Sequence, residues 1–420
     1  MLRSKHGNEK KPIDSRVDYS LILPVFFLVL IGLYSVYTAT IHDYPSKIAF
    51  VMGQQLIWLV IGGVISFVVM LFSTEFLWKI TPYLYGLGLV LMILPLIFYS
   101  PELVASTGAK NWVSIGSVTL FQPSEFMKIS YILILAHLTV SFKQKYKDGE
   151  KDLREDGKLL LWFALLTLPI MVLLALQKDL GTAMVFMAIL VGLVLIAGIS
   201  WQIILPVAGA VILIVALFMV VFLVPGGKEF LYHHMGMDTY QINRLSAWLN
   251  PFDYAGSIAY QQTQGMISIG SGGLFGKGVN VVDLPVPVRE SDMIFTVIAE
   301  NFGFIGGSIV LALYLILIYR MLRVTFASNN LFYTYISTGF IMMILFHIFE
   351  NIGAAVGILP LTGIPLPFIS QGGSSLISNL IGVGLVLSMS YQNSLNQERA
   401  MEKHFKYPKK KTEAKKASKA

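Results

Sequence analysis

The 420-residue chain contains no cysteine, which excludes disulfides, thiolate metal sites and thiol nucleophiles. It is also short of charge. Asp, Glu, Lys and Arg make up 13% of the sequence, against about 25% in a soluble domain. Hydrophobic residues reach 55%, too many for a polar surface to cover, and disordered chains show the opposite bias. Several chemical fingerprints are missing as well. There is no Ser-His-Asp elbow and no dinucleotide fingerprint. His233 and His234 are adjacent, without the i, i+4 spacing of a zinc-binding helix. The glycine-rich run 270–278 carries Lys277, but Ser271 and Gly278 stand where a nucleotide P-loop needs Gly and Ser/Thr. The composition points instead to an all-α polytopic membrane protein.

A membrane span needs about 20 mostly apolar residues. Ten such runs are present: 20–39, 49–72, 77–98, 126–142, 159–176, 180–199, 203–224, 293–319, 331–357 and 373–390. The eighth and ninth are long enough to tilt or to extend past the lipid. Continuous apolar runs without period-2 alternation read as helices, not barrel strands. No small-residue cleavage site follows the first run, so it is expected to be a retained anchor. The chain divides into an N-terminal tail (1–19), a ten-helix membrane domain (20–392) and a basic C-terminal tail (393–420). With ten spans both termini share a side. Of the 31 Lys and Arg, 23 fall on that side and 7 on the other, with Lys128 inside a span. The excess places both termini in the cytoplasm. The tail Lys409–Lys419 reads as a solvated, lipid-facing segment and not as a nucleic-acid site.

Two long loops then lie outside, 99–125 and 225–292, and the second has 68 residues. Loops of this length tend to be functional, so the activity is expected on the outer face. The stretch 257–269 is expected to lie along the interface or to re-enter the bilayer. The run Gly270–Gly278 holds five glycines in nine residues. It reads either as a tight structural turn or as a backbone nest for a diphosphate. Ionisable residues at membrane depth are costly and usually functional; here they are Glu125, Lys128, Asp179, Asp292, Glu300, His347 and Glu350. Glu125 and Lys128 are three apart and can pair on one helix face. Asp292 stands where a polar loop meets an apolar helix. Ser291 or Asp292 could cap that helix, and the helix dipole would then hold Asp292 ionised. An ionised carboxylate there could equally accept a proton from a sugar hydroxyl.

Together these stretches resemble the SEDS family (shape, elongation, division and sporulation), in its RodA branch. The resemblance rests on Gly108-Ala-Lys-Asn-Trp112, Phe121-Gln-Pro-Ser-Glu-Phe-Met-Lys128, Gln177-Lys-Asp-Leu-Gly-Thr182, Gln264 through Gly278, Ser291-Asp-Met-Ile-Phe295 with Glu300 and Gly303, Gly363-Ile-Pro-Leu-Pro-Phe-Ile-Ser370, and Gly372-Gly-Ser-Ser375. Three positions depart from the commoner pattern: Glu290-Ser-Asp-Met293 replaces His-Thr-Asp-Phe, Gln371 replaces Tyr, and Lys178 replaces Pro.

The resemblance implies a peptidoglycan glycosyltransferase of the bacterial cytoplasmic membrane. Its substrate would be lipid II, polymerised into β-1,4 glycan on the outer face. Asp292 occupies the position of the family's essential acid, Trp112 that of a tryptophan important for activity, and Glu125 and Lys128 those lining the central cavity. Lys110, Asp179 and Glu300 fall in matching stretches and are further candidates for substrate binding or for that cavity. The implied partner is a class B penicillin-binding protein, beside other elongation-complex membrane proteins and membrane lipids. The implied reaction is one inverting displacement, with Asp292 as base and a stabilised diphosphate leaving group. Arg244, Lys277 and Arg289 are the available outer cations. No cofactor or metal ligand set is identifiable, although a divalent cation could share that task. Two rival readings are a lipid II flippase and a non-enzymatic scaffold for a transpeptidase.

Overall fold

The computed structural model describes residues 16–116, 118–145 and 153–406, with no side-chain description for 106 and 399–406. The expectations for 1–15, for part of the basic loop (146–152) and for the tail from 407 onward lie outside these residues. Ten helices are long and apolar enough to cross a membrane: α1 (Tyr19–Asp43), α2 (Ile48–Met70), α3 (Thr74–Ile97), α5 (Pro123–Lys145), α6 (Leu153–Gln177), α7 (Leu180–Ala197), α8 (Trp201–Leu223), α12 (Ile294–Ser328), α13 (Leu331–Ala355) and α14 (Gly373–Lys406). Four shorter helices, α4 (Pro101–Thr107), α9 (Gly227–Met235), α10 (Thr239–Leu249) and α11 (Tyr260–Ser271), and a two-stranded antiparallel ribbon of β1 (Val113–Ile115) and β2 (Val118–Phe121) build the long loops. The ten spans fall where the sequence reading put them, although α6 starts earlier (Leu153) and α12 and α14 run further (to Ser328 and Lys406) than the apolar runs, and the chain is an integral membrane protein.

The bundle is ordered by polarity in the sense that lipid dictates. The least apolar span, α5, with mean hydropathy 1.3, is among the most buried, while the most apolar, α8, at 3.0, is the most exposed. Lipid replaces water outside, so polar groups turn inward and an all-apolar helix can stand alone. Accordingly α5, α13 and α14 form the centre, α2 packs along α14, α1 along α12, and α8 packs mainly on α9. Close helix approach uses small residues. A Cβ on Gly384 of α14 would lie 2.5 Å from the Ser66 carbonyl oxygen of α2.

One span is not a continuous helix. At Gly303, φ is 62° and ψ −156°, which breaks α12 after its first turns. A break at membrane depth frees backbone groups that lipid cannot satisfy. The glycine run supplies the partners. Lys277 N–H donates to Glu300 O (2.9 Å) and Gly278 N–H to Asn301 O (3.1 Å). In return Phe304 N–H donates to Gly273 O (2.9 Å) and Ile305 N–H to Leu274 O (3.2 Å). A Cβ on Gly303 or Gly276 would come within 2.4 Å or 2.1 Å of the opposing backbone, so glycine is required on both sides of this junction. The run 270–278 is therefore a structural splint for a broken helix. The diphosphate-nest reading is overturned, because the N–H groups of Lys277 and Gly278 are already bonded.

Candidate active site

Asp292 lies one residue before the N-cap of α12. That cap position is Met293, with no side-chain cap hydrogen bond. Neither Ser291 nor Asp292 caps the helix, and the cap reading of Asp292 is overturned. Its carboxylate is half-buried. Oδ1 accepts from the Ser291 hydroxyl at 3.0 Å, and no described residue donates a hydrogen bond to Oδ2. Burial pushes the carboxyl above its ordinary value, while the Ser291 hydrogen bond and the charge of Arg244 pull it back. The helix dipole was expected to hold Asp292 ionised; burial acts the other way and raises its affinity for a proton.

The backbone around Asp292 is held in an unusual form. Val288 has φ 51°, a left-handed conformation that costs a β-branched residue about 1–3 kcal/mol. Three partners hold the loop from the other side. Asn351 Nδ2 of α13 donates to Asp292 O and to Ile364 O, both at 2.8 Å. The Ser370 hydroxyl donates to Ser291 O at 2.7 Å. Gln371 N–H donates to Glu290 O at 2.9 Å. The segment between α13 and α14 is thus a cradle for the Asp292 loop. Gly363 in that cradle has φ 81°, and a Cβ there would lie 3.3 Å from Asp292 Oδ2.

The remaining candidates fall into separate groups. Arg244, on α10, reaches the cradle: its Nη1 donates to Leu361 O at 2.6 Å, and its guanidinium lies on the Tyr240 ring. Trp248 Nε1 donates to Ile358 O at 3.1 Å, so α10 lies over the same segment. Asp179 caps α7 through Thr182 N–H (3.0 Å), and its Oδ2 accepts from Thr182 Oγ1 (2.9 Å) and Asn111 Nδ2 (2.7 Å). With Lys110 N–H donating to Gln177 O (2.8 Å), this fixes the loop that presents half-buried Trp112. The Lys110 ammonium sits over the Tyr99 ring. The α6–α7 turn meets the cradle at Thr362, which lies 3.1 Å from a Cβ on Gly181.

Glu125 and Lys128 pair at 2.8 Å deep in the bundle. Lys128 also donates to His347 Nε2 at 3.0 Å, and His347 Nδ1 donates to Met343 O at 2.6 Å. This buried set joins α5 to α13. Lys277 is neutralised by Asp283 (2.8 Å) and Glu300 (2.9 Å). Arg289 is fully buried, 3.8 Å from Asp43, and its guanidinium nitrogens have no hydrogen-bond partner among the described residues. Burial pushes it below its usual value, opposed by Asp43, Glu300 and Glu290. Of the three expected cations, Arg244 is the one whose charge is felt at Asp292.

Sequence reading missed Asn351 and Thr362. Asn351 had a legible signal, a second polar residue beside Glu350 inside an apolar run. Thr362 had none.

Comparison with known proteins shows the family and the fold. The model of the cell cycle protein family FTSW_RODA_SPOVE matches residues 18–395. The peptidoglycan glycosyltransferase MrdB of Escherichia coli is 32% identical over 87% of this chain and 92% of its own. The peptidoglycan glycosyltransferase RodA of Treponema pallidum is 29% identical over 90% and 98%. Among solved structures, a chain of a peptidoglycan synthase complex that coordinates polymerization and crosslinking superposes with a TM-score of 0.69 at 27% identity, covering 90% of this chain and 98% of that one. RodA of Thermus thermophilus superposes at 0.60 with 28% identity, covering 89% and 96%. A membrane bundle of ten spans thus matches its relatives along almost its whole length: the chain belongs to the FtsW/RodA/SpoVE family of cell cycle proteins, the SEDS family.

Proposed function

We propose that this chain is a peptidoglycan glycosyltransferase that polymerises lipid II during cell elongation, with Asp292 as general base at the outer face of the cytoplasmic membrane. The observation that carries the reading is the state of Asp292: half-buried, with no described donor on Oδ2, not spent on a helix cap, and raised in proton affinity by burial. In the step, the 4-hydroxyl oxygen of the incoming sugar attacks the anomeric carbon of the growing strand. Its proton passes to Asp292 Oδ2, and the bond to the diphosphate breaks with its electron pair leaving on the diphosphate. Arg244 stands closest in effect to the site and takes the role of the leaving-group cation. Lys277 and Arg289 lie among carboxylates, which repel a diphosphate. The long loop and the Asp292 cradle share one end of the bundle, and the basic residues of the sequence are concentrated at the other, which supports an outward-facing site. Kinship to MrdB and RodA supports the elongation role. The likeness to a chain from a polymerising and crosslinking complex supports a class B penicillin-binding protein as partner.

The test uses purified protein with its transpeptidase partner and labelled lipid II, with glycan length read on a gel. Wild type makes long glycan. Asp292→Asn keeps the shape of the side chain but cannot take the proton, and a general base contributes about 10²–10⁴-fold in rate. The variant should form the partner complex and yield no visible polymer. Robust polymerisation by Asp292→Asn removes this residue from the mechanism.

A further inference from the structure

Glu350 lies outside every stretch that carries the family resemblance. It is a carboxylate on α13, 2% exposed, inside an apolar span. Burying such a group is costly, and its Oε2 has no hydrogen-bond partner among the described residues. Its Oε1 is committed. It accepts from the Thr362 N–H at 3.2 Å and from the Thr362 hydroxyl. Two donors converge on this one buried oxygen, which anchors a segment that has no regular structure of its own.

That segment carries the working parts of the site. Leu361, one residue before Thr362, offers its carbonyl to Arg244 at 2.6 Å. Gly363, one residue after, lies against Asp292 Oδ2. Thr362 itself packs on the α6–α7 turn at Gly181, whose Asp179 holds the Trp112 loop through Asn111. The neighbour Asn351 holds Asp292 O and Ile364 O from the same turn of α13. Glu350 and Asn351 therefore fix two points of one cradle, on either side of Gly363.

We infer that Glu350 is a positioning residue for the Asp292 site: by holding Thr362 it sets the turn Leu361–Gly363, and through that turn it aims Arg244 and confines the Asp292 carboxylate. The inference rests on the reading of Asp292 given above. Displacements of about 1 Å at a reacting group can cost about 100-fold in rate, so a side chain that never touches substrate can govern it.

Initial polymerisation rates against lipid II concentration, for full-length protein with its transpeptidase partner, test this. Glu350→Ala should lower kcat by about 10- to 100-fold. Glu350→Gln keeps an acceptor oxygen for both Thr362 donors and should retain most of the rate. A purely structural cost would show as loss of thermal stability without rescue by Gln. In the double variant Glu350→Ala with Arg244→Ala the two losses should combine to less than their product, because part of the Glu350 effect is carried by Arg244. If Glu350→Ala fails to fold, the pair Thr362→Ser and Thr362→Val takes its place. Ser keeps the hydroxyl and the rate; Val loses both. Wild-type kinetics in Glu350→Ala, equal loss in Gln and Ala, or multiplicative effects with Arg244 overturn the positioning role. A wild type that makes no glycan overturns the glycosyltransferase reading instead, so the two failures are told apart.

Discussion

Two carboxylates stand at the start of α12, Asp292 just before it and Glu300 within its first turns, and they are used in opposite ways. Glu300 is fully buried, and both of its oxygens are taken. Oε1 accepts from Lys277 Nζ (2.9 Å) and Asp283 N–H (3.2 Å), and Oε2 from the Ser268 hydroxyl (2.7 Å). It joins α11 and the glycine splint to the broken helix. Asp292 is half-buried and has one weak neutral partner, the Ser291 hydroxyl. Around Asp292 it is the backbone that is held, by Asn351, Ser370 and Gln371, while the side chain stays open. A satisfied carboxylate stabilises a fold. An open one on a tightly held backbone is prepared for a proton.

The contrast can be broken in order of expected effect. The largest is the loss of about 10²–10⁴-fold in rate with Asp292→Asn, while its thermal midpoint in detergent stays at the wild-type value. A fall in midpoint with retained polymerisation would reverse the assignment. Next, Glu300→Ala leaves the Ser268 hydroxyl and the Asp283 N–H unpaired and Lys277 with one exposed partner. It should lose about 3 kcal/mol of stability, seen as a lower midpoint, whereas whatever protein remains folded still polymerises. Glu300→Ala with unchanged stability and no activity would place Glu300 in the chemistry.

Gly363→Ala is a smaller perturbation. A left-handed alanine costs about 1–2 kcal/mol, and its methyl would press on Asp292 Oδ2. The expected result is a lower kcat at unchanged KM; a fully active variant would show that the cradle does not confine the carboxylate. The smallest change is in pH dependence. Burial raises Asp292 and the Arg244 charge lowers it. Removing that charge in Arg244→Gln raises the carboxyl further, so more of the base is protonated at a given pH. The acid limb of the kcat/KM profile should therefore move to higher pH. A limb that stays put or moves to lower pH would mean that Arg244 does not act on Asp292.

The ten spans were legible because hydropathy is local: each helix states its own need for lipid, and basic residues cluster in the loops between. Asp292 was legible for the same reason, as a charge at the edge of an apolar run. The state of that charge was not. Whether it caps α12 depends on where the helix begins, and the structure puts the cap one residue later, on Met293. The glycine run was conspicuous but ambiguous, since its N–H groups could serve an anion or a backbone. The break at Gly303 decides this, and nothing in the run tells Gly303 apart from Gly306 and Gly307, which stay helical. The expected cations Lys277 and Arg289 had the right sign and the wrong neighbours, because carboxylates from distant segments reach them first.

The sequence by itself determined the solvent, the number of spans, the family and the residue most out of place in an apolar setting. Those follow from transfer free energies and motif order, which each segment carries alone. Tertiary structure decided the partners: Arg244 on Leu361, Thr362 on Glu350, and Asn351 on the Asp292 backbone. Hydrogen bonds are short and directional, so a pairing between residues far apart in the chain exists once the bundle has brought them within about 3 Å. The same carboxylate is a cap, a salt-bridge partner or a base according to which of those pairings the fold completes and which it leaves open.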